Sequence, residues 1–170
     1  MNIYMTREDV SVIHKYLDKD DVMLEWGSGG STLYFSKYVN EYYSIEHDEK
    51  WYNKIKSQVE DNTHIYLCKP NHPRTVPAQR YQFEDYINYI EKIGVKFDKI
   101  LIDDRARFFC TEKAVDYLKP NGVLFFHDWI KEWYHSTLIY YELVEKTRPS
   151  TDNSGSLAVL KKRINKEATK

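Results

Sequence analysis

Short apolar runs alternate with longer stretches of mixed polarity along most of the chain. Apolar and aromatic runs that are bounded by turn-forming residues are typical of buried strands. Five such runs predict strands at residues 22–25, 41–46, 64–68, 97–103 and 123–127. Two later runs, at 138–146 and 156–162, are separated by a segment rich in Ser, Asp, Asn and Gly, which predicts a hairpin.

The stretches between the strands have the spacing of amphipathic helices. Residues 6–9 have the spacing of a capping box and begin a helix that runs to about Leu17. Further helices are predicted at 32–39, around Trp51, Ile55 and Val59, from about Ala78, at 107–118 and at 130–135. This alternation predicts an α/β fold, a doubly wound and mostly parallel sheet with helices on both faces.

A glycine loop follows the first predicted strand. Gly27, Gly29 and Gly30 carry no Cβ, so a ligand can lie against their backbone. Glu46 stands at the tip of the second predicted strand, where a doubly wound nucleotide fold holds ribose hydroxyls. A plain strand–helix turn would also explain the glycines alone. The spacing to Glu46 and the later strands favour a nucleotide-type cofactor.

Polar residues collect at the C-terminal ends of all five predicted strands. Ligands of open α/β sheets bind at this edge. The residues concerned are Glu25, Glu46, His47, Cys68, Lys69, Asp103, Asp104, Arg105, His127 and Asp128. The sequence therefore predicts a binding site along this edge of the sheet.

Composition narrows the classes of partner. A chain of 170 residues fits a single domain, which we place at residues 1–163, with a frayed tail at 164–170. A net charge of -1 gives no strong attraction to nucleic acid or to a membrane surface. No apolar stretch reaches the roughly 18 residues of a membrane span, and Cys68 and Cys110 have no metal-ligand spacing. We expect a cytoplasmic protein with buried free thiols, without nucleic-acid or membrane partners.

Four motifs resemble those of the Rossmann-like, seven-stranded S-adenosylmethionine-dependent methyltransferases. The loop 25–31 resembles their acid-x-Gly-x-Gly motif, Glu46 matches their ribose-binding acid, and Asp103 matches their fourth motif. Residues 118–124 resemble their turn into strand five, with Asn121 in place of the first Gly. The resemblance implies the strand order 3-2-1-4-5-7-6, with strand 7 antiparallel, and S-adenosyl-L-methionine as cofactor.

The resemblance also implies a set of cofactor-binding residues. Glu46 would accept hydrogen bonds from both ribose hydroxyls, and Glu25 would face the methionine end or order the loop. Trp51 would flank the adenine or anchor its helix in the core. A dinucleotide is the competing cofactor, but Thr32 stands where that motif expects Gly or Ala. The expected residues are Glu25, Trp26, Gly27, Ser28, Gly29, Ser31, Thr32, Glu46, His47, Trp51 and Asp103.

A hydroxyl acceptor must lose a proton when it is methylated. His127 is the expected general base, because an imidazole titrates near ~6.5. Asp103 and Asp128 would orient it or act directly. In the alternative, Asp103, Asp104 and Asp128 would bind Mg²⁺, as in some small O-methyltransferases. The sequence does not separate these two hypotheses, and we favour the one without a metal.

The acceptor is predicted from residues 102–107, which resemble an Asp-Gly-Arg-Ala-Arg stretch of small, partly sugar-linked O-methyltransferases, with Asp104 replacing Gly. Arg105 and Arg107 would bind the acceptor or pair with the aspartates, and Trp129 would support a sugar ring or join the core. We therefore predict O-methylation of a small-molecule hydroxyl, with a sugar or glycan unit expected. N- or carboxyl-methylation and a non-catalytic cofactor-binding module are the alternatives. A second subunit or neighbouring domain would complete an open acceptor site.

Overall fold

The computed structural model describes residues 2–149 and 155–163; the predicted frayed tail lies outside them. A seven-stranded sheet with the order β3-β2-β1-β4-β5-β7-β6 confirms the predicted topology. Strand β7 is antiparallel to both of its neighbours, β5 and β6. The strands are Val22–Trp26 (β1), Glu41–Glu46 (β2), Thr63–Leu67 (β3), Phe97–Ile102 (β4), Leu118–His127 (β5), Tyr141–Lys146 (β6) and Leu157–Lys162 (β7).

Five α-helices accompany the sheet: Arg7–Tyr16 (α1), Gly30–Phe35 (α2), Glu49–Lys56 (α3), Glu84–Ile93 (α4) and Arg107–Ala114 (α5). Short 3-10 segments lie at Ser36–Tyr38, Arg80–Gln82 and Glu132–Ile139. The predicted capping box of α1 is present, with the Thr6 and Asp9 side chains each bonded to the other's backbone. No helix among the described residues is both long and apolar enough to cross a membrane.

Alternate residues of the central strands supply two hydrophobic cores. Leu24, Ile100 and Phe126 face one side of the sheet, where α4 and α5 cover them. Met23, Leu101 and Phe125 face the other side, in a cluster with residues of α1 and α2. This period of two in strands that are buried on both faces explains the continuous apolar runs of the sequence.

Several element boundaries differ from the sequence prediction: α2 covers Gly30–Phe35 instead of 32–39, α5 ends at Ala114 instead of Leu118, and β6 begins at Tyr141 instead of Leu138. The differences at β5 and α4 have a clear physical cause. The predicted turn at residues 120–122 is a bulge inside β5, where the pairing jumps from Phe97↔Leu118 to Lys99↔Val123. An ideal Cβ on Gly122 would fall 2.7 Å from the Leu118 side chain and 3.0 Å from the Asp98 carbonyl oxygen, so a larger residue would have to displace Leu118. Helix α4 begins at Glu84 instead of near Ala78, because the Gln82 side chain accepts from the Gln79 amide and holds the preceding segment in a 3-10 turn.

Candidate functional site

A cavity of about 980 Å³ lies at the C-terminal ends of β1, β2, β4 and β5. Residues 27–31 of the glycine loop form part of its wall, together with residues 3–6 from the start of the chain. The other predicted site residues that line this cavity are Glu46, His47, Trp51, Asp103, Asp104, His127 and Asp128. The fold thus brings together most of the residues that the sequence assigned to one site.

Gly27 allows the loops after β1 and β4 to touch. Its φ of +101° lies in the region that favours glycine. An ideal Cβ there would fall 2.5 Å from the Cβ of Asp104 and 2.8 Å from the carbonyl oxygen of Asp103. The glycine is therefore required both by its backbone conformation and by the closeness of the neighbouring loop.

Glu25 orders the glycine loop from below. Its side chain is fully buried on the α2 side of the sheet, where it accepts hydrogen bonds from the hydroxyls of Ser31, Thr32 and Tyr42. Burial raises the pKa of Glu25 to about 8, although these hydrogen bonds oppose the shift. Of the two roles considered for Glu25, the contacts favour ordering the loop. Trp26 is likewise fully buried, and its indole N–H donates to the Tyr86 carbonyl at 3.2 Å.

Glu46 connects the glycine loop to the segment after β2. Its Oε1 atom accepts backbone N–H groups from His47 at 2.8 Å and Asp48 at 2.7 Å. Its Oε2 atom accepts the Ser28 N–H at 2.8 Å. Since a carboxylate offers about four acceptor sites, Oε2 keeps room for one further donor. The cavity-facing acid is thus held rigidly by three backbone groups.

Trp51 covers the glycine loop from α3. Its indole N–H donates to the Ser28 carbonyl oxygen, and the Asp48 side chain caps the helix by accepting the Trp51 backbone N–H at 3.0 Å. The Lys54 ammonium lies 4.5 Å from the indole ring. These contacts fix an aromatic wall beside the loop and favour the cavity position for Trp51 over the core position.

A charged network closes the cavity at the ends of β4 and β5. Nδ1 of His127 lies 2.8 Å from Oδ1 of Asp103. The Arg107 guanidinium donates to the same Asp103 oxygen at 3.2 Å and to Asp128 at 2.7 Å. The structure therefore shows the ion pairs that the sequence offered as the alternative role of Arg107, and it brings all three predicted catalytic residues into one network.

His127 is held from both sides by acidic groups. Its Nε2 atom is buried, makes no hydrogen bond with the described residues, and lies 3.9 Å from Oδ2 of Asp9. Burial alone would lower the pKa of His127, but the hydrogen bond and charge of Asp103 raise it above the ordinary value. Asp9 is fully buried and also accepts from the Thr6 and Thr147 hydroxyls. The sequence assigned Asp9 to a helix cap alone, because nothing local shows its closeness to His127.

The backbone after β4 and β5 is strained next to this network. Ala106 has a φ of 55° and Asp128 a φ of 63°, in the left-handed region that residues with a Cβ rarely adopt. Such conformations cost roughly 1–3 kcal/mol each and occur preferentially at functional sites. The strain therefore coincides with the edge where the sequence places the chemistry.

Asp104 and His47 form a second buried pair. Nδ1 of His47 lies 2.5 Å from Oδ2 of Asp104, which also accepts the Tyr86 hydroxyl at 2.9 Å. Nη1 of Arg74 lies 3.1 Å from the other ring nitrogen. Burial lowers the pKa of His47, but Asp104 and Glu46 outweigh it and raise the value to about 9. Arg74 was not predicted, since it lies in a proline-rich loop without a local motif.

A second cavity of about 870 Å³ meets the first at Asp104, which lines both. Residues 74–79, the loop 104–109 and the segment after β5 surround it. Arg105 and Arg107, which the sequence offers as acceptor-binding residues, line this second cavity. In the part of the chain that the structure describes, Trp129 lines neither of these two cavities. Its side chain is 4% exposed, and its ring centroid lies 5.1 Å from that of Phe126. Its surroundings are those of a core residue, the alternative that the sequence left open.

Solved structures share the fold of this protein over nearly the whole chain. A methyltransferase-like protein from Silicibacter pomeroyi DSS-3 has a TM-score of 0.71 at 19% identity, covering 94% of this chain and 88% of that chain. An rRNA methylase from Streptococcus thermophilus has a TM-score of 0.68 at 15% identity, covering 95% and 99%. The fold is that of the Rossmann-like methyltransferases.

No family model and no curated protein matches the sequence of this chain. The fold also occurs in precorrin 8W decarboxylase from Methanobacterium thermoautotrophicum, with a TM-score of 0.65 at 15% identity over 96% of this chain and 93% of that chain. At such identities the likeness establishes the fold, and the activity has to be argued from the site.

Two groups of side chains in this methyltransferase fold have the spacing of metal ligands. Asp103, His127 and Asp128 form one group, and Glu46, His47 and Asp104 form the other, each with ligand atoms within 4.8 Å. In the first group the Arg107 guanidinium already contacts both carboxylates, at 3.2 and 2.7 Å. A fixed positive charge beside both aspartates reduces the need for a cation there. The contacts therefore favour the hypothesis without a metal, which stays a prediction.

Proposed function

We propose that this protein is an S-adenosylmethionine-dependent methyltransferase that acts on a hydroxyl group of a small molecule. One observation carries the proposal: the Asp103–His127–Arg107 network borders two cavities that meet at Asp104. Asp103 and His127 line the first cavity, and Arg107 lines the second. A cofactor in the first cavity and an acceptor in the second would meet at these groups, as a two-substrate transfer requires.

The first cavity fits the cofactor by size and by chemistry. Its volume of about 980 Å³ is at the upper end of the range for small-molecule sites. Gly27 lets a ligand approach the backbone, and Oε2 of Glu46 can accept one ribose hydroxyl. Trp51 offers an aromatic face beside the loop for the adenine. We therefore expect Glu46 to bind one ribose hydroxyl, through Oε2, instead of the two that the sequence resemblance implies.

The Asp103–His127–Arg107 network would accept the proton that the acceptor hydroxyl loses. S-adenosylmethionine, when bound, supplies a methyl group that its sulfonium already activates. Asp103 is one-fifth exposed at its side chain, and its Oδ2 atom makes no hydrogen bond with residues 2–149 or 155–163. Asp103 would therefore contact the acceptor hydroxyl and accept its proton, while His127 hydrogen-bonds to Oδ1 of Asp103 and Arg107 holds the carboxylate in place. Asp128 fixes the other side of Arg107.

Radiolabelled methyl transfer tests the reaction class. The protein is incubated with methyl-labelled S-adenosylmethionine and separate pools of phenols, sugars, amines and carboxylic acids, and the products are then treated with base. We expect a labelled product from a hydroxyl pool whose label survives base, because an ether bond resists hydrolysis. Label released as methanol would show carboxyl methylation, and label in the amine pool would show N-methylation. Either result would contradict the hydroxyl assignment and support an alternative enzyme class.

The sequence resemblance of residues 102–107 supports a sugar or glycan unit as one candidate acceptor within this class. The variant Asp103→Ala distinguishes an enzyme from a non-catalytic cofactor-binding module. An enzyme would lose methyl transfer in this variant while it still binds S-adenosylhomocysteine. A module that only binds the cofactor would show no transfer in either form.

A further inference from the structure

Five aromatic side chains line the second cavity: Phe83, Phe108, Phe109, Trp133 and Tyr134. Phe108 and Phe109 meet edge to face at 5.3 Å, which fixes both rings. Trp133 stands 61% exposed next to this space, although an indole of that size is usually largely buried. An exposed aromatic residue beside an apolar cavity is typical of a ligand site that stacks a planar group.

The second cavity is lined by more cationic than acidic side chains. Arg74, Arg105 and Lys131 line it, and none of them forms an ion pair within the part of the chain that the structure describes. Arg107 also lines it, but Asp103 and Asp128 already neutralise that guanidinium. Asp104 is the acidic side chain in the described lining, and it is occupied by His47 and the Tyr86 hydroxyl. The excess of cations favours an anionic ligand.

Five uncharged side chains that can form hydrogen bonds line the same cavity: Thr75, Gln79, Trp133, Tyr134 and Ser136. Three of them already donate to a nearby backbone carbonyl oxygen. Thr75 and Gln79 donate to the Pro77 oxygen at 3.0 and 3.2 Å, and Ser136 donates to the Trp133 oxygen at 2.9 Å. A sugar with several hydroxyls needs many such partners. The lining therefore suits a planar apolar ring better than a polyhydroxylated one.

We infer that the acceptor is a hydroxylated aromatic ring that carries an acidic group, such as a hydroxybenzoate. The ring would stack between the aromatic side chains, and Arg105 and Lys131 would hold the acidic group. This inference rests on the proposed function, because it assigns the second cavity to the acceptor. It replaces the neutral sugar with an aromatic acid as the substrate class.

Titration calorimetry with four probes tests the inference, with saturating S-adenosylhomocysteine and without it. The probes are 3,4-dihydroxybenzoate, catechol, D-glucuronate and uridine monophosphate. We expect the dihydroxybenzoate to bind at least about tenfold more tightly than each of the others, because it alone has both a small phenolic ring and a carboxylate for charge-assisted hydrogen bonds. Equal binding of catechol would overturn the anion site. Tighter binding of glucuronate or of the nucleotide would overturn the aromatic-acid assignment in favour of a sugar or nucleic-acid acceptor.

Charge variants test whether Arg105 and Lys131 bind the carboxylate of the probe. Arg105→Gln and Lys131→Gln should each reduce the preference for dihydroxybenzoate over catechol about fivefold or more, since each removes one donor to the carboxylate. Lys37→Gln removes an exposed charge on the 3-10 segment after α2, at a residue that lines neither cavity, and should change nothing. An unchanged preference in both cavity variants would contradict the inference. Binding of S-adenosylhomocysteine is recorded separately, so a failure of the proposed cofactor is distinguished from a failure of the acceptor class.

Discussion

Gly27 and Asp104 are in such close contact that no side chain fits between them: an ideal Cβ on Gly27 would fall 2.5 Å from the Cβ of Asp104. This contact joins the loop after β1, which lines the first cavity, to the loop after β4, which lines both. Asp104 in turn is held by His47, the residue after β2, and by Tyr86 from α4. The relative position of the two proposed ligand sites thus depends on one glycine.

Gly27→Ala should therefore destabilise the protein by roughly 2–5 kcal/mol, from left-handed backbone strain and from overlap with the Asp104 loop together. Gly94 offers a matched control, because its φ is also positive, at +74°, but an added Cβ would meet no atom within 4 Å. Gly94→Ala should cost about 1–2 kcal/mol from strain alone. Urea unfolding measures both variants, and equal losses would show that the contact with Asp104 is unimportant.

The proton-handling network makes a separate prediction about turnover. Asp103→Asn and His127→Gln should each lower kcat by about 10²–10⁴-fold, the range for loss of acid–base assistance. Affinity for S-adenosylhomocysteine should change by less than about threefold in His127→Gln, because His127 is not among the expected cofactor-binding residues. Asp103 is one of those residues, so kcat of its variant is measured at saturating cofactor. Asp98→Asn, at the opposite end of β4, is the control for folding and charge. Unchanged kcat in both network variants would refute this role for the pair.

Stability should fall as the pH rises above neutral. The pKa of His47 is about 9 in the folded protein against an ordinary 6.5, so folding favours its protonated form. That stabilisation is complete below about pH 6.5 and is lost as the pH rises through 9. Glu25 acts with the same sign, since its pKa of about 8 exceeds its ordinary 4.5 and the folded state favours its neutral form.

Urea unfolding at pH 6.5 and 9.5 measures this effect, which we expect to reach roughly 1–3 kcal/mol for His47. His47→Gln should flatten the dependence, whereas His72→Gln, at an exposed position, should leave it as in the wild type. Glu25→Gln should remove the part that belongs to Glu25. Stability that rises between these two pH values would contradict the assignment.

Local requirements explain why much of this fold and site was predictable. The strands were found because parallel strands buried on both faces leave continuous apolar runs. Gly27 was found because the turn after β1 needs a glycine, and Glu46 because a nucleotide fold needs an acid at the tip of β2. Asp103, His127 and Asp128 were placed together because parallel strands present their ends at one edge. Each inference used only a short stretch or the topology.

The remainder depends on contacts between distant parts of the chain. Asp9 meets His127 only after α1 packs beside β5, and Arg74 reaches His47 only through the folding of a proline-rich loop. The bulge at residues 120–122 follows from the pairing of β5 with β4 rather than from its Pro-Asn-Gly sequence, which reads as an ordinary turn. The choice between cavity and core for Trp51 and Trp129 likewise needed three-dimensional packing.

Calorimetric titration with S-adenosylhomocysteine, and with NAD in parallel, tests the central claim most directly. The claim predicts micromolar binding of S-adenosylhomocysteine, at least about tenfold weaker binding in Glu46→Gln, and no binding of NAD. Glu49→Gln, with an exposed carboxylate on α3, is the control and should bind as the wild type does. Binding of NAD, or no binding of S-adenosylhomocysteine to a folded wild-type protein, would contradict the proposed methyltransferase.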